Sequence, residues 1–152
     1  LHDALPICNH GVGKDADNLY ITCKVKDGEL YSGGQGTQKG SGVFIYLDTK
    51  NECLKEPAEG VYKVWCSYKG DITVWQGNKG KWENSELEGL QITPSVVSGG
   101  YELAFTIPLN RSFNKDAMRL CATLSTKTYT ETLVHSNADR SCTWMKMNLG
   151  GH

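Results

Sequence analysis

Apolar and polar side chains alternate along several short segments of this chain, most clearly between residues 99 and 109. Every second position there carries an apolar side chain, namely Tyr101, Leu103, Phe105 and Ile107. The intervening positions carry Glu102, Ala104 and Thr106. This alternation predicts a half-buried β-strand that begins after a Gly-Gly turn. Pro108 cannot donate a ladder hydrogen bond, so we expect regular pairing to stop there.

The same two-residue period recurs along the chain. It predicts strands at residues 19–26, 43–47, 61–68, 72–76, 90–97, 101–107, 118–125 and 143–149. Pro94 interrupts one of these and places it near a sheet edge. Residues 114–117 are expected to form a short helix at most. Residues 15–149 are therefore predicted to form an all-β fold, an antiparallel β-sandwich of about eight or more short strands, with residues 150–152 as a tail.

The length and charge of the chain indicate a single domain that binds no nucleic acid. The 152 residues suggest one domain with a core large enough to fold alone. The 16 basic residues balance 17 acidic ones and form no basic stripe, so we expect no nucleic-acid partner. No apolar run approaches the ~20 residues of a membrane span.

The first residues fit poorly with the rest of the chain. Residues 1–7 read Leu-His-Asp-Ala-Leu-Pro-Ile, which is either a translated sequencing-adapter remnant or an ordinary disordered leader. Residues 1–14 are accordingly expected to lie outside the sandwich.

The chain has six cysteines: Cys8, Cys23, Cys53, Cys66, Cys121 and Cys142. Six cysteines allow 15 pairings, and no Cys-x-x-Cys pair indicates a structural zinc site. Cys23 is in phase with the apolar positions of its strand, which predicts a core residue. We expect one or two disulfides at most, with Cys53 and Cys66 as the favoured pair, and free buried thiols as the alternative.

Three segments together resemble family 9 carbohydrate-binding modules. Residues 17–27 resemble the family's aspartate-x-leucine-tyrosine to valine-x-aspartate strand. Residues 41–48 resemble a second family strand, and residues 100–109 resemble its glycine-tyrosine to isoleucine-proline strand. The order and spacing of the three segments also fit. The resemblance covers residues 15–149 and is more specific for the fold than for the ligand.

This resemblance implies a non-catalytic carbohydrate-binding function. The ligand would be an oligosaccharide or polysaccharide, and the chain an accessory module of a larger extracellular or cell-surface protein. One alternative is a structural or interaction β-sandwich with no sugar site.

The sequence also departs from the family. Residues 8–14 hardly provide the family's first strand, so we expect a sandwich without it. Ser41 and Phe44 replace an acidic pair, which argues against calcium.

Tryptophans near turns are the leading candidates for ligand contact, because the resembled family holds a sugar between two tryptophans. Trp75 precedes a Gly-rich turn, Trp82 comes after it, and Trp144 opens the last strand. We expect Trp82 and Trp144 to be more exposed than Trp75; the alternative for each is a core position. The predicted ligand-binding residues are Trp82, Trp144, Trp75, Tyr129, Asn137 and Arg140. Gln76 and Asn78 are further polar candidates, and all the polar candidates are alternatively solvated loop residues.

Other chemistry has less support. Four aspartates near strand ends could converge on calcium, but turn capping is the favoured interpretation, so no cofactor is expected: Asp15, Asp17, Asp27 and Asp48. The four histidines are scattered and no hydrolase motif occurs, so we expect no enzyme. Met118, Met145 and Met147 raise the alternative of a haem-binding redox module, although methionines in phase on a strand usually belong to the core.

Overall fold

The computed structural model describes residues 7–34, 38–126, 130–132 and 138–150. These residues form eleven strands and one short 3-10 helix, η1. The elements are β1 (Ile7–Lys14), β2 (Asn18–Lys26), β3 (Gly42–Asp48), β4 (Val61–Ser67), β5 (Ile72–Asn78), β6 (Lys81–Asn84), β7 (Gln91–Val97), β8 (Gly100–Pro108), β9 (Ala117–Ser125), β10 (Thr130–Thr132), η1 (Ser141–Thr143) and β11 (Met145–Asn148).

The strands form two antiparallel sheets. The smaller sheet has the order β1-β2-β8-β7. The larger sheet has seven strands in the order β10-β9-β3-β4-β5-β6, with β11 also paired to β9. The prediction of an all-β antiparallel sandwich is therefore confirmed, with eleven described strands where the sequence suggested about eight or more. Within the described part of the chain, no helix has the length and apolarity needed to cross a bilayer.

The core lies between the two sheets and is built from the alternating apolar positions. The smaller sheet contributes Leu19, Ile21, Cys23 and Val25 from β2 and Tyr101, Leu103, Phe105 and Ile107 from β8. The larger sheet contributes Val43, Ile45 and Leu47 from β3 and Met118, Leu120, Ala122 and Leu124 from β9. Burial of each large side chain stabilises the fold by roughly 1.5–3 kcal/mol. The predicted inward faces of residues 19–26, 101–107 and 118–125 are confirmed.

Strand β1 corrects two expectations. Residues Ile7–Lys14 pair along their whole length with β2, from Ile7 opposite Lys26 to Lys14 opposite Leu19. The prediction that the first strand is missing is therefore wrong, and these residues belong to the sandwich. The sequence pattern does not predict β1, because β1 is an edge strand that is held mainly by backbone hydrogen bonds to β2. Its side chains lack clear alternation, and only Cys8 packs partly against the core.

Pro94 and Pro108 lie where the sequence predicted them, and one predicted short helix is instead a turn. Pro94 lies on β7, an edge strand as predicted, and β8 ends at Pro108. The short helix expected at residues 114–117 is wrong. The Asn114 side-chain oxygen accepts the backbone N–H groups of Asp116 and Ala117, which makes a tight turn into β9.

A disulfide joins Cys53 to Cys142, so the expected Cys53–Cys66 pair is wrong. Cys66 faces the core from β4 and is fully buried, whereas Cys53 lies in the loop after β3. Alternation along β4 turns Cys66 into the core, away from the loop that holds Cys53, although the two cysteines are near each other in the sequence. Among the described residues, Cys8, Cys23 and Cys66 take part in no disulfide.

Candidate functional site

The outer face of the larger sheet carries a cluster of aromatic side chains. On β3, β4 and β5 the core-facing residues alternate with residues that point away from the smaller sheet. We call six residues the aromatic face: Phe44, Tyr46, Trp65, Trp75, Trp82 and Trp144. Strand register brings them together, because Tyr46 pairs with Lys63 and Lys63 pairs with Trp75 across β3, β4 and β5.

The rings of the aromatic face contact one another in a connected network. Phe44 lies 4.9 Å from Trp65 and 6.4 Å from Trp75, measured between ring centroids. Tyr46 lies 5.7 Å from Trp144 and 6.1 Å from Trp82. These spacings fall within the range in which tilted aromatic pairs attract each other. Gly42 makes room for this packing, because a Cβ at that position would collide with the Trp65 ring.

Lys63 places its ammonium group at the centre of this network. Its Nζ lies 4.9 Å from the ring centroid of Trp75 and 5.2 Å from that of Phe44. The Tyr46 and Trp82 ring centroids lie slightly farther away, at 5.7 and 5.9 Å. All four distances are within the range of cation–π attraction. Burial lowers the pKa of Lys63 and the charge of Asp139 opposes this effect.

The tryptophans of the aromatic face differ in exposure. Trp75 and Trp82 are both partly exposed. Trp144 is only 3% exposed, so its expected exposure is wrong. It comes directly after η1 and packs against Tyr46, in a segment that the Cys53–Cys142 disulfide ties to the loop after β3. That loop also holds the segment through the Cys142 backbone N–H, which donates to the Leu54 carbonyl.

Trp82 is oriented by a hydrogen bond. Its indole Nε1 donates to Oδ1 of Asp139 at 2.9 Å, and this bond links β6 to the chain just before η1. The predicted residue Arg140 comes next in the chain, is exposed, and accepts the Thr143 backbone N–H with its carbonyl. The predicted residues Tyr129 and Asn137 lie outside the described residues.

Gln76 and Asn78 lie on the opposite side of β5 from Trp75. Gln76 accepts the backbone N–H of Gly60, and the Asn78 side chain donates to Glu83. Both line a groove of about 380 Å³ at one end of β5. The structure therefore separates these two polar candidates from the tryptophans.

Sequence reasoning missed Phe44, Tyr46 and Lys63 as members of the site. Phe44 and Tyr46 occupy outward positions of β3, where an antiparallel sheet normally carries polar residues. Large aromatic residues at such positions on neighbouring strands were the available signal. It became informative only once the order of the strands was known.

Two of the aspartates considered for calcium cap turns in the structure. Asp15 accepts the backbone N–H groups of Asp17 and Asn18, and Asp48 accepts those of Glu52 and Cys53, as turn-capping carboxylates do. Over the described ranges, no three His, Cys, Asp or Glu side chains form a metal-binding group. Met118 and Met147 are buried in the core.

Comparisons with known proteins identify the fold. No family model matches the sequence, and no curated protein matches it. Two solved structures of a family 9 carbohydrate-binding module from Caldicellulosiruptor kristjanssonii, one with glucose and one with cellotriose, superpose with a TM-score of 0.78. The identity is 13%, and the match covers 99% of this chain and 80% and 78% of those chains. The chain thus has the fold of family 9 carbohydrate-binding modules, as the sequence motifs implied.

Proposed function

We propose that this chain is a non-catalytic carbohydrate-binding module and that its aromatic face is the binding surface. The observation that carries the proposal is the pair of partly exposed tryptophans, Trp75 and Trp82, beside a lysine on one sheet face. The fold supports it, because the solved structures that share it are described as carbohydrate-binding modules with bound glucose or cellotriose.

The chemistry of the aromatic face suits a sugar. The C–H side of a pyranose ring is flat and apolar and can stack on an indole, while its hydroxyl groups need hydrogen-bond partners. Lys63 supplies donors beside the rings, and Asp139 supplies a carboxylate beside Trp82. The partly exposed rings of Phe44, Trp75 and Trp82 also make the apolar kind of surface that marks interaction sites.

The remaining predicted site residues keep proposed roles. Trp144 is proposed to keep the Tyr46 ring in position by packing against it. The exposed Arg140 is proposed to donate hydrogen bonds to sugar hydroxyl groups. Tyr129 and Asn137 stay proposed as polar contacts to the same ligand.

We further propose that the module belongs to a larger extracellular or cell-surface protein that acts on polysaccharides. The Cys53–Cys142 disulfide supports this location, because disulfides persist in oxidising compartments.

The direct test is titration with cellotriose, monitored by tryptophan fluorescence and calorimetry. We expect saturable binding that Trp75→Ala weakens by about tenfold or more, since truncated aromatic anchors commonly cost over 1.4 kcal/mol. Tyr20→Ala is the matched control, because Tyr20 is a 37% exposed aromatic residue on the other sheet and its loss should leave binding unchanged.

Silence of the wild-type protein across a broad array of glucans, xylans and other glycans would overturn the proposal. An interaction sandwich without a sugar site would then be the better description. Equal loss of binding in Trp75→Ala and Tyr20→Ala would show that the aromatic face is not the site.

A further inference from the structure

The geometry around Lys63 points to an acidic saccharide as the ligand class: we propose that a uronic-acid carboxylate pairs with the Lys63 ammonium while the sugar ring stacks on Trp75 or Trp82. This inference rests on the proposed carbohydrate-binding function and specifies it further.

The position of Lys63 is set by the sheet and not by a flexible loop. It lies in the middle of β4, with Tyr46 of β3 paired on one side and Trp75 of β5 on the other. Its Nζ is within 6 Å of four ring centroids that belong to β3, β5 and β6. A ligand stacked on Trp75 or Trp82 would therefore have the ammonium within reach of its substituents.

The ammonium has hydrogen-bonding capacity to spare. Among the described residues no acceptor lies within hydrogen-bond distance of its Nζ, which lies over four ring faces and has the charge of Asp139 nearby. Ring faces offset part of the cost of removing water from the charge, but they do not replace hydrogen-bond acceptors. A ligand carboxylate can supply such an acceptor in place of water.

A carboxylate satisfies that need better than a hydroxyl group. The ammonium can donate to either group, but a carboxylate adds the attraction between opposite charges to the hydrogen bond. The partly buried position of Lys63 also reduces screening of the attraction by salt. The acidic group near Lys63 among the described residues, Asp139, already accepts the Trp82 indole N–H with Oδ1. The combination of stacking rings and a central ammonium thus selects a sugar that carries a negative charge.

The test compares two trisaccharides of equal length and linkage, cellotriose and its uronic-acid counterpart, in which each C6 hydroxymethyl is a carboxylate. Calorimetry with the wild-type protein at pH 7 should show tighter binding of the acidic trisaccharide by about tenfold. Lys63→Met keeps a long apolar side chain and removes the charge, so it should weaken binding of the acidic trisaccharide about tenfold more than binding of cellotriose and thereby abolish the preference. Lys69→Met is the matched control, because the Lys69 Nζ lies 5.8 Å from the ring centroid of Tyr68 at a separate hairpin. This substitution should change the affinity for neither trisaccharide.

Equal binding of the two trisaccharides by the wild type, or a preference that persists in Lys63→Met, would overturn the acidic-sugar inference and leave the carbohydrate-binding function standing. Failure of both trisaccharides to bind the wild type would overturn the inference, and silence across the wider glycan array would overturn the function as well. Lys63→Arg provides a second variant if Lys63→Met does not fold, because it should retain the preference for the acidic ligand.

Discussion

The two sheets share one core but differ in the faces they turn outward. The outer face of the smaller sheet carries Tyr20, Thr22, Lys24, Glu102 and Thr106, as expected for an antiparallel sheet with one solvated side. The outer face of the larger sheet carries the aromatic face and Lys63 instead. Both outer faces sit on strands that the same core stabilises. Tyr46, Trp65 and Trp144 are buried within the aromatic face, so the partly exposed Trp75 and Trp82 distinguish this outer face from that of the smaller sheet.

Core positions should show the largest effects on stability. Phe105→Ala removes a 1% exposed ring between the two sheets and is expected to lower the free energy of unfolding by about 3–5 kcal/mol. Thr106→Ala, on the outer face of the same strand, should cost less than about 1 kcal/mol. Urea unfolding of both variants measures this contrast, and similar costs for the two would contradict the assigned faces of β8.

The disulfide should matter to the larger sheet more than to the smaller one. Replacing both Cys53 and Cys142 by serine is expected to lower the free energy of unfolding by about 2–5 kcal/mol, because the bond closes a long stretch of chain with a sequence separation of 89. Reductant should destabilise the wild type but not this double variant. Peptide mapping without reductant checks the pairing directly, and a Cys53–Cys66 peptide would refute it.

The hydrogen bond from Trp82 to Asp139 should affect ligand binding more than folding. Trp82→Phe keeps an aromatic ring but loses the Nε1 donor, so cellotriose affinity is expected to fall by about fivefold, near 1 kcal/mol. Asp139→Asn keeps an acceptor oxygen and should bind almost as the wild type does. If calorimetry shows a loss in Asp139→Asn and none in Trp82→Phe, the charge of Asp139 and not the orientation of Trp82 is what matters.

The pKa shifts of Tyr46 and Tyr20, one on each outer face, predict the smallest difference between the two sheets. Burial raises the pKa of Tyr46 to about 12, whereas the pKa of Tyr20 is raised first of all by its hydrogen bond to Asp15. A phenol whose folded pKa exceeds its unfolded value of about 10 stabilises the fold fully below pH 10. That contribution is lost as the pH rises from about 10 to 12. Stability should therefore fall over this interval in the wild type and less steeply in Tyr46→Phe. Absorbance titration and urea unfolding measure both effects, and parallel slopes would contradict the burial of Tyr46.

The sequence was most informative where alternation and burial coincide. Residues 101–107 showed the inward face of β8, and Pro94 correctly marked an edge strand. Strand β1 escaped prediction because an edge strand needs a backbone partner more than an apolar face. Of the predicted site residues, Trp75 and Trp82 reach the aromatic face with partial exposure, while Trp144 is buried by packing against Tyr46.

By itself the sequence determined the two-residue period of the strands and, through three ordered motifs, the family whose fold the chain shares. Only the tertiary structure decided that Phe44, Tyr46, Lys63, Trp75 and Trp82 meet on one surface and that Cys53 pairs with Cys142. The physical reason is that alternation depends on residues two apart in the chain. A binding face and a disulfide depend on which strands become neighbours, and that order is set by long-range pairing and shared burial.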